Sequence, residues 1–371
     1  MNLLGLILIT IQLINIIYSE NVIKSNKSTL KLVHVIFRHG DRTPTQNERY
    51  PTDPQLNNTY HPFGVGQLTT AGKKHSFTLG KQFRNRYDAF LGSEYYYGLI
   101  NSTATSVERT QATLQCVHAG LFPYITENED EDDSHVFWQP IPYEILPPRT
   151  DTLLLIEQAY PTMNHLPKEA RVSRKTHLLY DYVSYWTGID RKTMGLTDVS
   201  NIYDTILVKN QLGYPIPAWA EVVYPEPLRT ESLKSFIALQ RYKLPMVIGH
   251  LIERINAQNH QKVQATLKPS TMKMYLYSCH DTNIAALLGI MQYELVHTIK
   301  YNAHIFIELH EIDEEYFVKI FYKNGINGVL ERLKLRNCDY LCPLEKFTAL
   351  TEWLYIPTAH REHKEETIWE L

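Results

Sequence analysis

The chain has 371 residues, 44% hydrophobic and 21% charged, which supplies a large core and excludes wholesale disorder and collagen-like repeats. At about 150 residues per domain, this length allows two compact units or one domain with a large insertion and argues against a single small binding module. Lys and Arg number 37 against 40 Asp and Glu, a net charge of −3, so no nucleic-acid partner is expected, since such binders carry a basic excess.

Residues 3–17, LLGLILITIQLINII, form an apolar run of signal-peptide length, with the small Ser19 placed for cleavage. Residues 1–19 therefore read as a secretory signal. No later run reaches the length of a membrane span, so none is expected. Residues 31–37, KLVHVIF, read as a buried strand that runs into the polar Arg38-His39-Gly40-Asp41-Arg42-Thr43-Pro44. Residues 70–90 follow as a helix with Leu79, Phe83 and Phe90 on its apolar side, then a strand in GLINSTATS and a helix in SVERTQATLQCVHAGLF. The acidic ENEDEDD at 127–133 is simplest as a solvated loop. Residues 140–245, rich in Pro, Tyr and Trp and irregular in period, look like an inserted, mainly helical subdomain in an α/β body formed by 20–139 and 246–371. Farther on, MKMYLYSC is a strand ending at His280-Asp281, and TNIAALLGIM a helix with Ile284, Leu287, Leu288 and Met291 at its apolar positions. Residues 303–310 and 315–322 alternate as an antiparallel hairpin at a sheet edge.

Four cysteines suit an oxidising compartment. Cys338 and Cys342, in NCDYLCP, are spaced to close a small disulfide loop; Cys116 and Cys279 are either a long-range bridge or two thiols behaving as small hydrophobes. Asn26, Asn57 and Asn101 begin N-x-S/T triplets, of which Asn101, beside an interior motif, is the poorest glycosylation candidate.

Ligands of open α/β sheets bind beyond the carboxyl ends of strands, where both 38–44 and 280–281 fall. Arg38 and Arg42 flank the His39 imidazole, a combination suited to a phosphate dianion because each guanidinium fork can bind its oxygens bidentately. Arg109, at the start of a helix, adds a third guanidinium and a helix amino-terminal field. Singly, an Arg-His pair in a loop is most often a solvated surface feature. His34, His39, Asp41, His280 and Asp281 are all metal-ligand types, but the HExxH spacing is missing and the arginines oppose a cation, so no metal is expected.

The segment Arg38 to Pro44 resembles the signature of the histidine acid phosphatases, the clade of prostatic, lysosomal and insect venom acid phosphatases. Gly66-Gln67-Leu68-Thr69 with Gly72 and Leu79-Gly80, Glu108-Arg109-Thr110, His280-Asp281, Phe137 to Pro140 and Cys338 to Leu344 are similar to further segments of that family. The resemblance runs from about residue 31 to 350 and is weakest across the insertion. It implies a phosphoglycerate-mutase-like three-layer α/β sandwich with an α-helical cap. It also implies His39 as the nucleophile that becomes a phosphohistidine, Asp281 as acid and then base, and Arg38, Arg42, Arg109 and His280 as the phosphate-binding set. No cofactor is implied, the guanidinium groups taking the role magnesium has elsewhere. The implied substrates are small phosphomonoesters or phosphotyrosine. A homodimer is implied by analogy with the prostatic enzyme, and the location is secreted or lysosomal. Departures from the family pattern are Thr103 near an expected arginine, Cys279 before the His-Asp pair, and only one complete cysteine pair among the usual three. The competing reading is a retired relative, a secreted venom or salivary protein that binds phosphate or phospholipid without turnover. A phytase-like specificity is a narrower alternative, favoured by a basic cap, whereas 140–245 is mixed in charge.

Overall fold

The computed structural model describes residues 29–123, 138–155, 174–242, 244–265 and 271–354. The signal segment, Asn26, the acidic 127–133 stretch and Phe137 lie outside them. Among the described residues, eight strands form one mixed sheet. Its centre is β1 (Leu30–Arg38), parallel to β4 (Met274–Cys279) on one side and antiparallel to β5 (His304–Ile312) on the other. Outward from β4 come β2 (Ile100–Ala104) and the short β3 (Glu144–Ile145). Outward from β5 come β6 (Glu315–Lys323) and β7 (Leu330–Leu333), with β8 (Cys342–Pro343) also pairing with β6.

β1 shows why the sheet is covered on both faces. Leu32 and Ile36 enter one core, whereas Val33, Val35 and Phe37 enter the other, as the two-residue period of a strand requires. The second core is roofed by α1 (Thr70–Leu91) and α2 (Glu108–Leu121), which contribute Leu79, Phe83, Leu114 and Val117. The first is closed by α6 (Leu244–Gln264), α7 (Asp281–Ile290) and α8 (Leu344–Thr351), with Ile252, Ile284 and Phe347 among its members. The expected sandwich is thus three layers.

Between α2 and α6 the chain builds α3 (Arg174–Thr187), α4 (Leu196–Gln211) and α5 (Leu228–Tyr242). They share a third core of Val183, Val199, Ile202, Ile206 and Leu228, which also receives Tyr50 from the loop after β1. Residues 144–154 behave differently: β3 extends the sheet, and Leu153 and Leu154 join the core beneath α7.

The hairpin expected at a sheet edge is β5–β6, but it lies inside the sheet, because β5 bonds to β1 and β6 to both β7 and β8. Alternation identifies a half-buried strand and is silent about which neighbours it finds. Cys338 and Cys342 form a disulfide, Cα atoms 5.6 Å apart. Of the two alternatives for the other pair, free thiols hold: Cys279 is buried and Cys116 partly so. Asn101 is half-buried inside β2, whereas Asn57 is exposed. Among the described residues, no helix is long and apolar enough to cross a membrane.

Candidate active site

Three parallel strands deliver the site. The registers Arg38 to Cys279 and Ala104 to Ser278 bring the carboxyl ends of β1, β4 and β2 to one level, so His39, His280 and Thr105 emerge side by side. The His39 amide donates to the Cys279 carbonyl at 3.0 Å, and the His39 carbonyl accepts from the Asn302 amide at 3.2 Å. Helix α1 presses against the loop beyond. A Cβ on Gly72 would lie 2.0 Å from the Asp41 carbonyl oxygen, and one on Gly40 would lie 2.7 Å from that of Gly72, so only glycines allow this approach.

His39 Nδ1 lies 2.9 Å from the Gly40 carbonyl oxygen. A carbonyl only accepts, so Nδ1 carries the proton and Nε2 keeps its lone pair. Burial first, then the charges of Arg109 and Arg38, hold the imidazole neutral far below its ordinary range. His280 is held neutral for the same reasons, its pKa lowered to about 3 by burial and then Arg109. Its Nε2 lies 3.2 Å from Thr105 Oγ1, and its ring centroid lies 5.6 Å from that of His39.

The arginines differ in how they are held. Arg38 Nη2 pairs with Asp281 Oδ2 at 2.6 Å, Nη1 donates to the Ile299 carbonyl, and the guanidinium lies 4.3 Å over the Tyr301 ring. Arg42 makes a buried two-pronged pair with Glu48. Burial opposes its charge, but the Glu48 carboxylate outweighs that and keeps it protonated. Arg109 has no ion-pair partner among the described residues, and its Nε is buried without an acceptor. Burial and then Arg42 lower its pKa to about 10. Asp281 opens α7; burial works against its charge, and Arg38 before His280 outweighs burial and holds its carboxyl below the ordinary range.

All six expected residues, Arg38, His39, Arg42, Arg109, His280 and Asp281, are brought together. His34 and Asp41 are engaged elsewhere, His34 with Asn259 at 3.0 Å and Asp41 with His75 at 2.8 Å. Among the described residues, no group of three or more His, Cys, Asp or Glu side chains could hold a metal. Two further residues touch the arginines, Glu48 and Tyr301, and a third, Asp204, lies within reach of their charges. Glu48 was signalled by Thr45-x-x-Glu48, a capping box that turns its carboxylate back to the Thr45 amide at 2.7 Å and leaves it facing Arg42. Tyr301, placed by the Asn302 turn at φ 58°, and Asp204 of α4 carry no local signal.

Three guanidinium groups around a neutral imidazole with a free lone pair, beside a carboxyl at a helix start, define a site for binding a phosphate dianion and attacking it. The family model of the histidine phosphatase superfamily (branch 2) matches residues 29–183 and 243–323. The venom acid phosphatase Acph-1 of Apis mellifera is 32% identical over 338 residues, covering 88% of this chain and 85% of that protein. The prostatic acid phosphatase of Homo sapiens is 31% identical, covering 86% and 84%. Among solved structures, the phytase of Klebsiella sp ASR1 superposes with a TM-score of 0.64 at 16% identity, over 87% of this chain and 95% of that one, a likeness of fold. The chain belongs to the histidine phosphatase superfamily, branch 2.

Proposed function

We propose that this chain is a secreted acid phosphatase that hydrolyses phosphomonoesters through a phosphohistidine on His39. The observation that carries the reading is the His39 tautomer: Nδ1–H is bound to the Gly40 carbonyl, so Nε2 is an unprotonated nucleophile even in acid. Nε2 attacks phosphorus while the bond to the leaving oxygen breaks, and Arg38, Arg42, Arg109 and His280 stabilise the charge on the phosphoryl oxygens. Asp281 gives its proton to the leaving oxygen. It then takes a proton from the water that attacks phosphorus and releases the imidazole. Its pairing with Arg38 favours the ionised form of Asp281. A bound phosphate competes for Arg38 and adds negative charge, both of which return the carboxyl to its acid form.

The helical segment within 140–245 serves as a cap on this pocket, and residues 1–19 as the export signal. The alternative of a retired binding protein is not favoured, since the relatives are named phosphatases and no member of the six-residue set is missing. A denaturing quench in alkali of a reaction with p-nitrophenyl phosphate radiolabelled at phosphorus tests the reading, because the P–N bond of a phosphohistidine survives alkali and is hydrolysed in acid. Wild type should retain label on the protein and His39→Ala none; an equally labelled variant overturns it.

A further inference from the structure

Helix α4 is fastened to the loop that carries the counter-ion of Arg42. Thr205 Oγ1 donates to the Glu48 carbonyl, Asn201 Nδ2 donates to the Asn47 carbonyl at 3.4 Å, and Lys209 forms a buried pair with Asp53. Asn201, Asp204 and Thr205 are spaced i, i+3 and i+4 and share the helix face turned to that loop. Asp204 is half-buried. Beside burial, charges of the phosphate pocket act on it: Glu48, Arg38, Arg42 and Asp281. Tyr301, which faces the two arginines, also feels it. Among the described residues, Asp204 has no hydrogen-bond or ion-pair partner, Arg38 and Arg42 being taken by Asp281 and Glu48.

We propose that Asp204 is a specificity-determining residue of this reaction, a carboxyl carried by the helical cap that faces the ester's leaving group and selects against leaving groups bearing further negative charge. The inference rests on the phosphatase reading of the pocket. Burial, with the Glu48 charge behind it, raises the Asp204 pKa to about 7. In acid the group is a neutral carboxylic acid able to donate a hydrogen bond to substrate. Above neutrality it is a carboxylate, and it opposes each additional anionic group held near it. The groups around it are Arg38, Arg42 and Glu48 from the segment after β1, Asp281 from α7 and Tyr301 from the segment before β5. Arginine and tyrosine do not change charge between pH 5 and 8 here, and Asp281 and Glu48 are held below the carboxylate range, so Asp204 is the carboxyl of this set that changes charge across neutrality.

Binding measurements separate this from the turnover question. In a His39→Ala background, p-nitrophenyl phosphate and inositol hexakisphosphate are titrated calorimetrically at pH 5 and pH 7.5, with Asp204 intact or changed to Asn, Ser or Glu. At pH 7.5, Asp204→Asn and Asp204→Ser should each favour the hexakisphosphate over the monoester by a further factor of about ten, from one unit charge at close range. The factor should shrink at pH 5, and Asp204→Glu should keep the wild-type ratio. Two uncharged variants guard against a folding failure in either. An unchanged ratio at pH 7.5, or a Glu variant behaving like Asn, overturns the role of Asp204 while leaving the phosphate site standing. Failure of both ligands to bind with Asp204 intact overturns the site reading and this inference together.

Discussion

Asp281 Oδ2 stands 2.6 Å from Arg38 Nη2, so the carboxyl proposed as the acid is tied to a guanidinium proposed to hold phosphate. A charge-neutral Asp281→Asn keeps the shape and loses the transferable proton. Phosphorylation by an alkyl phosphate should fall by about 10²- to 10⁴-fold, the usual worth of general-acid catalysis, and by a nitrophenyl ester far less, because nitrophenolate leaves unaided. Rapid-quench measurement of the first phosphorylation step is the right observable, since hydrolysis of the intermediate also uses this carboxyl. Equal losses for both esters would make Asp281 a structural partner of Arg38 only.

Arg109 is a half-buried cation without an ion-pair partner among the described residues, with its pKa lowered to about 10 by burial and Arg42. A lowered pKa in a base means that folding disfavours its charged form, so removing it should not cost electrostatic stability. Arg109→Met should therefore melt at or above the wild-type temperature in phosphate-free buffer. It should also lose most of the upward shift that millimolar phosphate gives wild type, because ligand stabilisation follows occupancy. A variant that melts lower without phosphate, or keeps the full shift, contradicts this account.

Away from the pocket, Arg86 pairs with Glu308 at 2.7 Å between α1 and β5, and Tyr87 Oη donates to the same carboxylate at 2.7 Å. The Arg86 guanidinium lies 4.9 Å from the Phe306 ring centre and 4.6 Å from that of Phe321. Burial opposes the Glu308 charge, but Arg86 outweighs it and lowers the pKa to about 2. With the folded pKa below the unfolded one, the stabilisation is complete above about pH 4.5 and is lost as pH falls towards 2. Glu308→Gln should cost about 3 kcal/mol at pH 6 in urea titrations, and the difference from wild type should narrow towards pH 2. A constant difference across that range would assign the cost to packing.

Gly72→Ala tests the contact between α1 and the His39 loop. Its Cβ would overlap the Asp41 carbonyl at 2.0 Å, and backbone cannot swing aside as a side chain can. The variant should fold less stably by about 1–3 kcal/mol, the range of overpacking. Its kcat should fall more than its KM rises, because the displaced element carries the nucleophile. Gly92→Ala is the control for helix-end glycines: nothing lies within 4 Å of that Cβ, so only the strain of φ 85° applies and kcat should hold.

Local pattern was enough for much of the molecule. Strand β1 and its polar continuation were legible because a β-branched run ending in Arg-His-Gly-Asp-Arg permits few readings, and all six expected pocket residues sit in such motifs. Period alone could not rank strands, since β5 and β6 alternate in the same way whether or not β7 and β8 cover them. Cys116 and Cys279 were undecidable for a related reason: their separation in space is not written in their separation along the chain. Glu48 lay half in view, through its capping box. Tyr301 and Asp204 did not, because Tyr301 reaches Arg38 through the turn before β5, and Asp204 reaches the pocket only because α4 packs on the 46–48 turn. The chemistry of the cradle is therefore local and readable, whereas the Tyr301 ring over the Arg38 guanidinium and the Asp204 carboxyl of α4 come from segments far apart in sequence, which only the packing of the whole chain brings together.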